Sequence, residues 1–118
     1  MLTNSVPDNK GKKFKIITLC GSTRFKDEFF QAQKELTLKG YIVISVGLFG
    51  HSGDAEVWEN DTKTMLDHMH LEKINMAESI FVVNPDGYIG TSTTREIHYA
   101  LDTNKTVYSI VPISINSI

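Results

Sequence analysis

Short apolar runs alternate with longer amphipathic stretches along the chain, and their periods predict a repeating strand–helix order. Residues 15–20 (Lys-Ile-Ile-Thr-Leu-Cys) are nearly continuous in apolar side chains, as expected of a central parallel strand covered on both faces. Phe25, Phe29, Ala32 and Leu36 then recur at steps of four, three and four, the spacing of one helical face, and Lys39-Gly40 supplies a stop. Residues 41–46 predict a second strand. Asp61 or Thr62 can cap a further helix running to about Met76, with Asp67, His70, Leu71 and Ile74 along one side. Residues 80–83 (Ile-Phe-Val-Val) predict a buried third strand, and Asn84-Pro85-Asp86-Gly87 a tight turn. Ile97, Ala100 and Leu101 give the next stretch one apolar face, residues 106–111 predict a fourth strand, and residues 112–118 form a short exit segment.

Strands alternating with helices imply an α/β fold with right-handed crossovers. The expected architecture is a flavodoxin-like (Rossmann-like) three-layer sandwich, with a parallel sheet of about four strands in the order 2-1-3-4. Residues 14–118 form its single domain. Residues 1–13, rich in turn formers and carrying Lys10, Lys12 and Lys13, read as a flexible, solvated tail. In this order the switch point lies between the first and third strands, and ligands bind there, outside the carboxyl ends of the strands.

Composition narrows the function. A chain of 118 residues with 41% hydrophobic side chains supports one core, and a net charge of −2 argues against a nucleic-acid polymer as partner. No apolar run approaches the roughly 18 residues a membrane span needs, so no membrane partner is expected. The one cysteine, Cys20, lies in a strand pattern and reads as a buried thiol in a reducing cytoplasm.

Two polar segments carry candidate chemistry. The first is Gly21-Ser22-Thr23-Arg24, between strand 1 and helix 1. Backbone N–H groups left unpaired at a helix start, two hydroxyls and a planar guanidinium make an anion cradle, although neither the P-loop nor the dinucleotide glycine spacing is present. Simple capping of helix 1 by Ser22 or Thr23 is the alternative. The second is residues 88–100, where Thr91, Ser92 or Thr93 can cap a helix and Glu96 lies about one turn inside it, where the helix dipole favours an ionised carboxylate. The alternative for Glu96 is a capping box with Thr93. The predicted switch point brings both segments to one crevice.

Weaker signals surround them. In the glycine-rich loop of residues 47–60, Phe49 and Trp58 can stack on a flat ligand, and His51, Asp54 or Glu56 can hydrogen-bond to it; ordinary packing is the alternative for each. Asp67 and His70, three residues apart on a helix, are neighbours suited to acid–base work or simply an exposed pair. His68 and His70 face different ways, and HExxH and paired-Cys patterns are absent, so no metal is assigned.

Leu19-Cys20-Gly21-Ser22-Thr23-Arg24, the helix end Met76-Ala77-Glu78-Ser79 before an apolar strand, and a Gly-x5-Glu-Ile-x-Tyr-Ala helix together resemble the nucleoside 2-deoxyribosyltransferase superfamily. The nearest branch is that of the 2'-deoxynucleoside 5'-monophosphate N-glycosidases, and the resemblance spans roughly residues 15–111. It implies cleavage of the bond between a nucleobase and deoxyribose. Glu96 stands where the family's nucleophilic glutamate attacks the anomeric carbon, and the sugar passes to water or to another base. Ser22 and Arg24 match positions that hold the 5'-phosphate, with Gly21 and Thr23 completing the loop, and Tyr88, Gly90 and Ser92 are expected along the sugar site. The family usually has an aspartate where this chain has His70, so a protonated His70 oriented by Asp67 is the expected acid. No cofactor is expected, since a glutamate and an acid suffice. Relatives generally continue through a further helix and strand that help build a dimer, and a homodimer or higher homo-oligomer is expected here. The alternatives are a non-catalytic nucleotide-binding module and a hydrolase of another ribosyl nucleotide such as NAD.

Overall fold

The computed structural model describes residues 2–3 and 5–118. Its strands are β1 (Leu2–Thr3), β2 (Lys15–Gly21), β3 (Tyr41–Ile44), β4 (Ser79–Val83) and β5 (Thr106–Ser109), and its helices are α1 (Lys26–Leu38), α2 (Thr62–Asn75) and α3 (Thr91–Asp102). The strands form one sheet in the order β1-β5-β4-β2-β3, every pairing parallel. The four strands expected from hydrophobic pattern therefore stand in the expected 2-1-3-4 order. A fifth, β1, joins the edge beside β5.

Strand alternation divides the core into two layers. Ile17 and Leu19 of β2 and Val83 of β4 meet Phe29, Ala32 and Leu36 of α1 on one face of the sheet. On the other, Cys20 of β2, Ile80 and Val82 of β4 and Val107 of β5 meet Ile74 of α2 and Ile97 and Ala100 of α3. Thr18 shares that second face and donates its hydroxyl to the Lys73 carbonyl of α2 at 2.8 Å. Cys20 therefore points between α2 and α3.

The segment expected to be a loose tail is docked instead, with Met1 and Asn4 outside the described residues. Leu2 and Thr3 pair with Val107 and Tyr108. Asn9 is buried, and its amide donates to the carbonyls of Lys13 and Gly40 at 3.0 and 3.1 Å. Lys39 Nζ and the Tyr41 hydroxyl donate to the Val6 and Pro7 carbonyls, both at 2.9 Å. Polar turn formers here serve as clamps on the α1–β3 turn, which composition alone does not distinguish from solvated chain.

Asn84 plays a comparable part below the site. Its side chain is buried, donates to the Val111 carbonyl at 2.9 Å and accepts from the Ile110 and Val111 amides at 3.0 Å each, joining the end of β4 to the chain after β5. Replacing it by alanine leaves three backbone groups without that partner, so Asn84→Ala should lose about 3 kcal/mol in equilibrium urea unfolding. A loss below about 1 kcal/mol would show that the clamp is not needed.

Candidate active site

The chain crosses from β3 to β4 over β2, so the switch point lies between β2 and β4, where Gly21 pairs with Val83. After Gly21 the chain turns once, the Phe25 amide donating to the Ser22 carbonyl at 3.1 Å, before α1 starts. Phe25 is the residue at the N-cap of α1, so neither Ser22 nor Thr23 caps that helix. Arg24 Nε donates to Ser22 Oγ at 3.0 Å, and its guanidinium carbon lies 4.5 Å from the centre of the Tyr88 ring. The cradle and the loop before α3 thus meet directly, with the arginine fork held by a hydroxyl and an aromatic face. Thr23 is otherwise engaged. Its hydroxyl lies 2.9 Å from His51 Nδ1 and accepts from the His51 amide at 3.2 Å, while its carbonyl accepts from the Ser52 hydroxyl at 2.8 Å. It fastens the 47–60 loop to the cradle.

In α3 the N-cap is Gly90, with no side-chain cap from Thr91, Ser92 or Thr93. Thr93 is buried inside the first turn, and the expected Thr93–Glu96 capping box is not made. Glu96 instead faces inward beneath the cleft, where the Cys20 thiol donates to its carboxylate. Burial and then the charge of Asp67 push Glu96 up to about 7, against the smaller opposing effects of the Cys20 hydrogen bond, Lys63 and Arg95. Desolvation outweighs the helix-dipole effect expected from its position near the helix start. His70 is buried too, with Nε2 3.5 Å from Cys20 Sγ. Burial and then Lys73 push it down to about 4, against the Leu19 backbone and Asp67, so the ring is neutral near pH 7. That opposes the expected role of a protonated His70 oriented by Asp67. Asp67 instead accepts from Lys63 Nζ at 3.0 Å.

These groups line one cleft of about 280 Å³, walled by the Gly21–Arg24 turn, residues 46–48, Gly50, His51, Val57, Trp58, Asp67, His70, Tyr88 and residues 90–93, with Glu96 at its floor. Asp67, Ser92 and Glu96 also border a second cleft of about 240 Å³ between α2 and α3, so Glu96 lines both. No family model, curated protein or solved structure matches this chain. Among the described residues no helix is long and apolar enough to cross a membrane.

The candidate residues reach this cleft except Asp54, Glu56 and Phe49. The Phe49 ring is 7% exposed and packs edge-on against Phe29 with centroids 5.5 Å apart, in the core under α1. An aromatic residue in a loop satisfies the patterns of stacking and of packing equally, and here the apolar face of α1 claims it. Asp54 is turned back as well, accepting from the Phe49 amide at 2.7 Å. Trp58 stays half-exposed on the cleft, its indole N–H donating to the Gly50 carbonyl at 3.0 Å and its ring 5.0 Å from His51.

Sequence reading passed over Lys63, Lys73 and Cys20 as site residues. Lys63 sits four residues before Asp67, a spacing that signals an ion pair but not which face it serves. Lys73 donates to the Ser45 carbonyl at 2.9 Å and brings a second cation to the cleft. For Cys20 the available signal was strand alternation, which sets it on the face opposite Leu19.

Proposed function

We propose that the chain cleaves the N-glycosidic bond of a (deoxy)nucleoside 5'-monophosphate or nucleoside, by hydrolysis or by deoxyribosyl transfer, with Glu96 as nucleophile. The observation that carries this reading is one cleft holding an inward-facing carboxylate opposite a braced arginine–serine cradle. Ser22 and Arg24 hold the phosphate, and Tyr88, Gly90 and Ser92 flank the sugar. A Glu96 oxygen attacks the anomeric carbon; the carbon–nitrogen bond breaks, and its electron pair leaves with the base, which takes up a proton. Water or a second base then releases the sugar from the glutamyl ester. The base takes its proton from solvent in the cleft, which Asp67 borders, because His70 is neutral. Homo-oligomer formation and a reducing, cytoplasmic setting belong to the same reading; Met65 and Met69 lie exposed four residues apart on α2, and Cys20 is a free thiol.

The test is chromatographic detection of free base released from the four deoxynucleoside monophosphates, the matching nucleosides and NAD. Release from monophosphates supports the reading. Nucleotide binding with no release from any compound replaces it by a binding module, and release from NAD alone by a ribosyl hydrolase. Within the panel, Arg24→Ala should raise KM for monophosphates about 10- to 100-fold, the worth of a charge-assisted pair, while leaving nucleoside turnover within about twofold. Equal losses on both substrates would remove the phosphate role of Arg24.

A further inference from the structure

Cys20, His70 and Glu96 come from three different elements, β2, α2 and α3, yet their ligating atoms all lie within 4.8 Å of one another. Cys20 Sγ and His70 Nε2 are 3.5 Å apart. A tetrahedral zinc ion with sulfur at about 2.3 Å and nitrogen at about 2.0 Å would itself set those atoms about 3.5 Å apart. The carboxylate completes a three-ligand set of which His70 and Glu96 border the cleft and Cys20 is fully buried, and three protein ligands are the number of an accessible rather than a closed metal site.

We propose that Cys20, His70 and Glu96 form a binding site for a divalent transition metal, zinc by donor type, whose occupancy withdraws Glu96 from chemistry. Sulfur and imidazole donors select against magnesium and calcium, which take oxygen. Thiolate and carboxylate together cancel the dication, so the loaded set is neutral, as a buried site requires. The thiol and any proton on Glu96 pass to solvent as the metal binds. Lys63 and Lys73 border the same cleft and oppose a dication, whereas Asp67, beside Glu96, favours it. The backbone positions of the three residues are fixed by the β2–β4 pairing and by the packing of α2 and α3 on the sheet.

The experiment uses the whole chain, freed of metal by a chelator and titrated with Co²⁺. Wild type should develop a thiolate-to-cobalt charge-transfer band in the near ultraviolet, saturating at one ion per chain and displaced by Zn²⁺. Cys20→Ser should abolish the band, and His70→Phe or Glu96→Gln should weaken metal affinity at least about 100-fold, as loss of a direct ligand exceeds the 10- to 100-fold cost of losing its supporting group. No band in wild type, or an equal band in Cys20→Ser, overturns the site. Thermal melts establish folding of each variant; if Cys20→Ser does not fold, unchanged affinity in His70→Phe overturns it equally. The inhibitory consequence rests on the glycosidase reading and is read separately: stoichiometric Zn²⁺ should suppress base release and a chelator should restore it. A chain that binds Co²⁺ but releases no base keeps the metal site and loses only that reading, whereas base release unaffected by saturating Zn²⁺ removes Glu96 from the ligand set.

Discussion

Glu96→Gln should abolish base release, lowering the rate at least about 1,000-fold, or about 4 kcal/mol of barrier, while leaving the fold as stable as wild type or more so. The amide keeps the volume of the buried side chain but cannot form a glycosyl ester. The stability expectation follows from burial beside Asp67. The folded chain holds Glu96 protonated up to about 7 against an ordinary 4.5, so between those values it binds more protons than the unfolded chain. Stability from this group is therefore present at low pH and lost as pH rises through that window, and an uncharged amide removes the loss. A residue kept for capping would behave differently: its alanine variant would lose about 1 kcal/mol of stability without a special effect on turnover. The measurements are base release from a monophosphate and thermal melting at pH 8, on wild type, Glu96→Gln and Glu96→Ala. Normal release by Glu96→Gln would end the nucleophile assignment, and a sharp loss of stability in both variants would return Glu96 to a structural role.

The contrast between α3 and the 47–60 loop shows what was legible in the chain and what was not. Periodicity located four strands and three helices because each buries a face against the sheet, and apolar spacing reports burial directly. It also located Gly21–Arg24 and Glu96 at one crevice, because strand order alone determines which loops share an edge. The cap of α3 was not legible. Gly90, Thr91, Ser92 and Thr93 all satisfy capping preferences, and only tertiary packing, which draws Thr93 inside, chooses Gly90. Phe49 was ambiguous for a similar reason, its destination depending on Phe29, twenty residues earlier in the chain. β1, at two residues, is too short to carry a period, and it is held by pairing with Val107 and Tyr108. The cluster around Glu96 was hidden by distance in sequence. Cys20 and His70 are fifty positions apart; His70 was legible as an acid–base candidate, but Cys20 does not look chemical until the sheet turns it toward α2.

Gly21→Val should be the most damaging single substitution to the fold, at about 4 kcal/mol, with a fall in melting temperature on the order of 15 °C. A Cβ at Gly21 would stand 2.6 Å from the Val83 carbonyl oxygen, 3.2 Å from Val83 Cβ and 3.3 Å from the Phe29 ring, with the backbone at φ +154°. The nearest obstacle is backbone of the neighbouring central strand, so relief means separating β2 from β4 where the cleft begins. A shift of the Phe29 ring relieves only the farthest of the three contacts. The same glycine allows the chain to leave β2 and turn into Ser22–Arg24, so any molecules that fold should also carry a displaced cradle, with monophosphate KM rising alongside the loss of stability. Gly47 provides the internal control. It also borders the cleft, but an added Cβ there meets nothing within 4 Å, so Gly47→Ala should stay within about 0.5 kcal/mol of wild type. Urea unfolding of wild type, Gly21→Ala, Gly21→Val and Gly47→Ala measures the series. An unchanged midpoint for Gly21→Ala would show that β4 can yield to the extra carbon, and the close approach of Gly21 to Val83 would then set neither the stability of the sheet nor the position of the cradle.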